Sequence, residues 1–458
     1  MTHRRWLGVL GVACLCACGP SREALPPPRA PLVAHLTLPG PPPSSPLDIA
    51  RPSLRVEDLV LPCGIEVHVV ERPDALLTHL ALFAGGGYLG DGTSAPVDVA
   101  VLYALEEHLG ASVSLDTRGL SVVAEADGSE ALGRAAQLVR VATGQSLSPA
   151  LLRRAGESPE AIGADRREHD LVARIYGTHS PEAALASPDR SRHAVASVRV
   201  RERIAQLFQP SRMRLVVVGP LERGALERAL TEATQGIAPT PHAAPRTLEP
   251  RTWAPPRPQV RVYGGDLSLG AISALAPGPP VGAADHAAFR VAVRILGGMY
   301  SSRPNQVFRE ERRESYGAHA VVLDNGTHSL VRFETTIETP QINAVLDVVF
   351  DELGRLGDAA ALSDEEIERA RRLEIAAETL RWDDGGSLAS SILDARVRGE
   401  RPSPERALES LRAVDRAAIA EASRRWLAPD RLAIVATGRS TWMFSHPPAA
   451  PGGYAVAE

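Results

Sequence analysis

Two residues of the second half of the chain, Arg309 and Tyr316, have side chains that donate directional hydrogen bonds. They lie in a run from Leu296 to Gly317 that reads LGGMYSSRPNQVFREERRESYG. A guanidinium is a permanently charged, planar fork, and a phenol is a single directional donor. Whether the two side chains can reach the same ligand depends on where the helix that carries Arg309 ends. The alternative is that Arg309 pairs with nearby glutamates on a solvated helix and that Tyr316 packs at the start of a strand.

Composition excludes several other chemistries. All 50 basic residues of the 458-residue chain are arginine. Without lysine there is no Walker-A phosphate loop, no pyridoxal Schiff base and no S-x-x-K acyl enzyme. The sequence also has no G-x-S-x-G motif, and its scattered Ser, His and Asp residues do not indicate a serine hydrolase. A net charge of −5 without a long basic run argues against nucleic acid as a partner.

The N-terminus is typical of a bacterial lipoprotein. Arg4 and Arg5 precede an apolar run that is too short to span a bilayer, and the run ends in Leu15-Cys16-Ala17-Cys18. This pattern predicts a signal peptide over residues 1–17 and lipidation of Cys18; an ordinary signal peptide with incidental cysteines is the alternative. A proline-rich tether over residues 18–52 would then hold the folded part away from the membrane surface, on the periplasmic side, and Gly19 favours the outer membrane.

Cysteine usage excludes an intramolecular disulfide in the processed chain. Cys14 and Cys16 would leave with the signal and Cys18 would carry lipid, so Cys63 alone would remain. We expect Cys63 to be a small buried hydrophobe and not a nucleophile.

Two pairs of similar segments, here called the two internal echoes, indicate that a unit of the chain is duplicated. The segments from Ile204 to Gly219 and from Ile419 to Gly438 both read as a helix, a proline turn, Arg-Leu, a buried strand and a glycine. Leu147-Ser148-Pro149 and Leu362-Ser363-Asp364 form a second pair at nearly the same offset, 215 against 219 residues. The expected organisation is therefore two halves between a leader and a tail: signal 1–17, tether 18–52, N-terminal half 53–236, linker 237–258, C-terminal half 259–440 and tail 441–458.

Local patterns in the second half mix strands with long helices. Ser363 and Glu366 form a capping-box sequence, and one helical face should follow it with Ile367, Ala370, Leu373, Ala377 and Leu380. Upstream, a turn at Asp324-Asn325-Gly326 precedes a strand whose Val331, Phe333, Thr335 and Ile337 alternate with polar residues. We therefore predict an α+β fold of two homologous halves, each a mainly antiparallel sheet with helices packed on one face.

The run from Leu296 to Gly317 resembles the C-terminal half of the M16 metallopeptidase family, the insulinase, pitrilysin and mitochondrial processing peptidase group. The matching positions are a Gly-Gly turn, a Ser-Arg, an Arg-Glu on a helix and a tyrosine: Gly297, Gly298, Ser302, Arg303, Arg309, Glu310 and Tyr316. The resemblance implies two α+β halves that enclose a peptide, often together with a second such protein. It also implies that Arg309 and Tyr316 reach across to a metal site in the opposite domain or subunit and hold the substrate backbone.

The zinc signature of that family, H-x-x-E-H, is absent from this sequence. None of the 13 histidines lies in H-x-x-E-H or H-E-x-x-H. The nearest segment runs from Tyr103 to His108, where Tyr103 and Glu107 would occupy the ligand positions and only Glu106 matches. A phenol and one carboxylate do not replace two imidazoles, so no catalytic zinc is expected in this chain. The chain also looks shortened before Leu109, which suggests that the metal-bearing helix is deleted.

These features predict the zinc-free subunit of a two-component, M16-type periplasmic peptidase. An H-x-x-E-H partner would hold Zn²⁺, while this chain would contribute peptide binding and the pair Arg309 and Tyr316. The isolated chain would be inert. The alternatives are a non-catalytic scaffold or peptide-binding lipoprotein and, least favoured, a self-sufficient protease with an atypical site.

Overall fold

Two six-stranded sheets organise the part of the chain that the computed structural model describes. That part comprises residues 54–85, 95–116, 118–142, 147–157, 166–178, 180, 182–183, 186, 195–238, 259–264, 269–311, 315–324, 328–338, 342–438 and 455–457. The strands of the first sheet are β1 (Glu57–Val60), β2 (Glu66–Glu71), β3 (Leu77–Ala84), β4 (Ser112–Leu115), β5 (Leu120–Asp127) and β6 (Met213–Gly219). Those of the second sheet are β7 (Gln259–Gly264), β8 (Leu269–Pro280), β9 (Ser315–Asp324), β10 (His328–Glu338), β11 (Ala433–Gly438) and β12 (Ala455–Ala457).

The two sheets have the same topology. Their strand orders are β1-β2-β6-β3-β5-β4 and β12-β7-β11-β8-β10-β9, so five strands correspond one to one. The pairs β2–β6 and β7–β11 are parallel, and the other corresponding pairs are antiparallel. The predicted fold class, two homologous halves with mainly antiparallel sheets, is confirmed. The predicted tail adds one strand to the second sheet, because β12 pairs with β7 in parallel.

Helices cover one face of each sheet. The first half contributes α1 (Ala95–Leu109), α2 (Ala131–Ala142), α3 (Pro149–Glu157), α4 (Arg166–Tyr176), α5 (Ser197–Leu207) and α6 (Arg223–Ala233). The second half contributes α7 (His286–Gly297), α8 (Ile342–Leu356), α9 (Asp364–Asp383), α10 (Gly385–Val397), α11 (Pro404–Arg412) and α12 (Arg416–Trp426). Cys63 is buried in the apolar core of the first half, as expected.

Both echoes seen in the sequence are real structural repeats. Helices α5 and α12 each end before a 3₁₀ turn that begins with a proline, Pro210 or Pro429, and each turn leads into a buried strand. Proline suits the first position of such a turn because its φ is preset and its missing N–H is not needed there. In the second echo, the hydroxyl oxygens of Ser148 and Ser363 accept hydrogen bonds from the backbone N–H groups of Leu151 and Glu366, which caps α3 and α9.

One helix of each half packs on the sheet of the other half. Leu388 and Ile392 of α10 are fully buried against the first sheet, on the face opposite its own helices. Leu171 and Ile175 of α4 pack in the same way on the second sheet. The two helices begin 219 residues apart, the offset of the sequence repeat. This reciprocal exchange joins the two halves through apolar contacts on both sides.

The junction between α9 and α10 is tightly held. Arg72, which follows β2, donates hydrogen bonds to the carbonyl oxygens of Trp382 (2.8 Å) and Asp383 (2.5 Å) at the end of α9. Asp384 caps α10 by accepting from the backbone N–H of Ser387 at 2.7 Å. A Cβ atom on Gly385 would lie only 2.3 Å from the ring of His79, so a side chain at this position would push α10 off the first sheet.

The buried face of α9 differs from the one predicted. Ile367 and Ala370 are buried, but Leu373 and Leu380 are 43% and 66% exposed. The inner side of the helix instead carries Glu374 and Glu378, which are paired with arginines of α7. Apolar periodicity cannot reveal this arrangement, because buried ion pairs replace leucines in the contact.

The capping box at the start of α9 is also only half formed. The Ser363 hydroxyl caps the helix as described, but the Glu366 carboxylate does not return to the backbone N–H of Ser363. It accepts two hydrogen bonds from Arg303, at 2.6 and 2.7 Å. A bidentate, charge-assisted pair is stronger than the neutral hydrogen bond that it replaces.

We expect Ile392→Ala to lower the free energy of unfolding by about 2–5 kcal/mol, because it opens a cavity where α10 packs on the sheet of the other half. The matched control is Leu380→Ala on α9, which removes an exposed leucine and should change stability by less than about 0.5 kcal/mol. Urea denaturation of both variants gives the comparison. Equal small losses would mean that the exchanged helix contributes little to holding the halves together.

Candidate functional site

The Gly297-Gly298 pair lets the end of α7 lie directly against β9. A Cβ atom on Gly297 would be 2.8 Å from the backbone nitrogen of Ala320, and one on Gly298 would be 2.9 Å from the Cα of Arg294. A side chain at Gly297 would force the helix and the strand apart, and one at Gly298 would clash with the last turn of α7 itself. The two glycines therefore fix the start of the segment that carries the predicted site.

Asn305 fastens the same segment to the outer edge of β9. Its side-chain amide donates to the carbonyl oxygens of Met299 (3.0 Å) and Ala318 (3.1 Å), and its Oδ1 accepts from the backbone N–H of Ala318 (2.5 Å). The side chain is buried and bonds to Ala318 much as a neighbouring strand would. Sequence analysis missed this residue, because an asparagine after a proline is an ordinary turn signal.

Arg309 lies in a π-helical turn, Gln306–Glu311, that follows the short helix Arg303–Asn305. Its guanidinium lies 3.7 Å from the centroid of the Tyr300 ring and donates a hydrogen bond to the Tyr300 hydroxyl. Among the described residues no carboxylate pairs with Arg309; Glu314 and the side chain of Glu310 lie outside them. Tyr300, which is 73% exposed, was also missed from the sequence. This stack presents a positive charge at the surface.

Tyr316 is the second residue of β9 and lies in a β-bulge. Ser315 pairs with Ile337 and Ala318 with Thr335, so Tyr316 and Gly317 together oppose the single residue Thr336. Gly317 has φ +143°, which disfavours a side chain, and its Cβ would be 3.0 Å from Oδ1 of Asn305 and 3.4 Å from Cδ of Arg309. The bulge thus brings the backbone beside Tyr316 against the stem of Arg309. Bulges of this kind redirect side chains next to functional sites.

The Arg309 side chain lines a cavity of about 690 Å³. The cavity lies on the part of the second sheet that α4 leaves uncovered. Helix α4 covers Leu275 and Val435, while Ser273 and Thr336, further along the same face, line the cavity. The cavity is large enough for several residues of an extended chain. Its wall combines backbone, the hydroxyls of Ser273 and Thr336, the half-buried guanidinium of Arg309 and the polar side chains His319 and Glu334.

The residues of α1 do not fit a catalytic zinc. Tyr103 is 38% exposed and Glu106 and Glu107 are exposed, and Glu107 forms an ion pair with Arg154 of α3. In the described ranges, no three His, Cys, Asp or Glu side chains are grouped closely enough to hold a metal ion. A catalytic zinc needs three protein ligands, commonly imidazoles. Between β3 and β4, α1 is the helix that the described residues form, and residues 86–94 lie outside them.

The predicted signal peptide, Cys18 and the tether lie outside the described residues. Of the helices that are described, none is both long enough and apolar enough to cross a bilayer.

Comparisons with known proteins agree with this geometry. Residues 198–374 match the family described as the peptidase M16 inactive domain, a stretch that includes Arg309 and Tyr316. Among curated proteins, none matched the sequence.

Solved structures share the fold. A peptidase M16 inactive domain from Pseudomonas fluorescens is 17% identical over 84% of this chain and 98% of its own, with a TM-score of 0.69. A protease from Helicobacter pylori is 12% identical over 84% and 99%, with a TM-score of 0.69. A chain of Complex III2 from Candida albicans is 15% identical over 84% and 96%, with a TM-score of 0.66.

Fold and site together define a duplicated α+β protein with an arginine-bearing cavity in its second half. The class that the comparisons indicate is M16: residues 198–374 match its inactive domain, and solved M16-type structures share the fold of the chain, which confirms the resemblance seen in the sequence.

We expect Asn305→Ala to lower the free energy of unfolding by about 2–4 kcal/mol, because it leaves the N–H and C=O of Ala318 without their buried partner and removes one of the two donors to the carbonyl of Met299. Gln306→Ala, which removes an exposed neighbour, is the control and should be close to neutral. Chemical denaturation measures both. An unchanged midpoint for Asn305→Ala would show that the segment is held by other contacts.

Proposed function

We propose that this chain is the zinc-free subunit of a two-component M16-type peptidase. A partner subunit with H-x-x-E-H would hold the zinc, and this chain would provide half of the peptide chamber together with Arg309 and Tyr316. The observation that carries the proposal is the Arg309 guanidinium, which faces an open cavity without a carboxylate partner in the described part of the chain.

The role of each residue follows from its chemistry. Arg309 would donate two parallel hydrogen bonds to a peptide carbonyl, and its charge would stabilise the oxygen as it becomes negative. Tyr316 would add one directional donor from the bulge of β9. Tyr300 would hold the guanidinium in a fixed plane through stacking, so that little side-chain freedom is lost when substrate binds.

Lipidation of Cys18 would place this chamber on the periplasmic side of a bacterial membrane, most simply the outer one. The chain and its partner would form a heterodimer there. An M16-like scaffold that binds peptides without taking part in hydrolysis is the second candidate, and the match to an inactive domain favours it.

To separate the two functions, the chain is co-expressed with an H-x-x-E-H relative encoded beside it, and peptide turnover by the purified pair is measured. Arg309→Ala should lower kcat by about a hundredfold or more, the usual effect of losing one donor to a developing oxyanion. Arg412→Ala, at an exposed arginine of α11, should leave turnover unchanged. Co-purification of the two subunits shows whether the assembly is intact.

Unchanged turnover by an intact Arg309→Ala pair would establish the scaffold function instead. The isolated chain serves as the metal control: we expect no stoichiometric zinc and no turnover. Tight zinc together with peptidase activity in the isolated chain would contradict the two-component proposal.

A further inference from the structure

A second cavity, of about 870 Å³, lies in the second half between α7, the end of α9, α10 and α11. Its wall carries nine charged side chains besides His286. These are five arginines and four acids: Arg290, Arg381, Arg398, Arg401, Arg406, Asp324, Glu378, Asp394 and Glu400. What the cavity can bind depends on which of these side chains already have a partner of opposite charge within the protein.

All four acids are already satisfied within the protein. Their partners are His286 at 3.4 Å and Ser329 at 2.6 Å for Asp324, Arg290 at 2.7 Å for Glu378, Arg118 at 3.2 Å for Asp394 and Arg398 at 2.9 Å for Glu400. Burial opposes the charged form of Asp324, but the hydrogen bonds and charge around it prevail and bring its pKa to about 2. Asp324 is therefore ionised at neutral pH, and all four carboxylates already have partners within the protein.

Three of the five arginines do not have a carboxylate partner of their own among the described residues. The side chains of Arg401 and Arg406 make no hydrogen bond or ion pair with any described residue, and both are exposed to the cavity. Arg381 reaches only Glu378, at 4.0 Å, and that carboxylate already accepts from Arg290 and Trp382. The cavity therefore holds uncompensated positive charge on planar groups that suit carboxylates.

The cavity is continuous with the exposed face of the first sheet. Arg381, Ser391 and Asp394 also line a shallower cavity of about 420 Å³ that reaches Val123 on β5. Val123 pairs with Ser112 of β4, the edge strand of the first sheet. An extended chain that lay along this edge would pass beside Arg381 and could place side chains towards Arg401 and Arg406.

We propose that this cavity binds the acidic side chains of a peptide, so that the chain selects peptides rich in aspartate and glutamate. This inference rests on the proposed peptide-binding function and adds the class of substrate to it. The specificity comes from the guanidinium groups of Arg401 and Arg406, with Arg381 at the entrance.

The test uses the purified full chain and two fluorescent peptides, hexaglutamate and hexaglutamine, with binding followed by anisotropy. Hexaglutamate should bind more tightly than hexaglutamine, and its affinity should fall as salt is raised. The double variant Arg401→Gln/Arg406→Gln should weaken hexaglutamate binding about tenfold or more and leave hexaglutamine binding unchanged. The control Arg153→Gln/Arg412→Gln removes the same charge from exposed positions outside the cavity and should bind both peptides as the unmodified chain does.

An equal loss in the two double variants would overturn the proposal, because net charge alone would then explain it. Displacement of hexaglutamate by an equal concentration of inorganic phosphate would also overturn it, since the cavity would be a site for small anions. Equal affinity for the two peptides would reject acidic selection while the Arg309→Ala turnover assay still reported on the proposed function. Failure of both peptides to bind would reject peptide recognition by the isolated chain altogether.

Discussion

The exchange of one helix between the two halves is the contact on which the rest of the structure depends. Because α10 packs on the first sheet and α4 on the second, each sheet has one covered stretch and one open stretch on its inner face. The cavity at Arg309 lies on such an open stretch of the second sheet. The same helix α10 also forms one wall of the arginine-lined cavity. Each candidate site therefore adjoins one of the two exchanged helices, the Arg309 cavity lying beyond α4 and the arginine-lined cavity beside α10.

Polar contacts set the register of that exchange. Glu168 of α4 pairs with Arg332 of β10, and Asp394 of α10 pairs with Arg118 beside β5. Apolar burial favours the contact without specifying its position along the sheet, because it has little directionality. A guanidinium–carboxylate pair at each helix specifies where the helix stops. The use of arginine alone as the basic residue is consistent with this demand for planar, multiply bonded partners.

Much of this fold could be predicted from the sequence, and the reasons are local. The proline turns after α5 and α12, the serine caps of α3 and α9 and the alternation in β10 are all short-range signals that the structure keeps. The prediction was wrong where contacts with distant residues decide which side of a helix is buried. On α9, Glu374 and Glu378 occupy the buried side in place of Leu373 and Leu380, because they pair with Arg290. Arg309 and Tyr316 were predicted from the motif, whereas Asn305 and Tyr300 were not, because their contacts depend on β9 and Arg309 coming together in space.

Packing explains why several residues of the run from Leu296 to Gly317 have the side chains they have, but it does not explain Arg309. Gly297, Asn305 and Gly317 are required for α7, the π-helical turn and β9 to approach as closely as they do. Arg309 meets no such requirement, since it stacks on a tyrosine that is itself 73% exposed. The outer residues of α1 are similarly free of packing demands, because Ala104 and Leu105 carry the core contacts there while Glu106 and Glu107 are exposed. Side chains on that surface could therefore change without loss of the fold, and the proposed contact with a peptide carbonyl would account for Arg309.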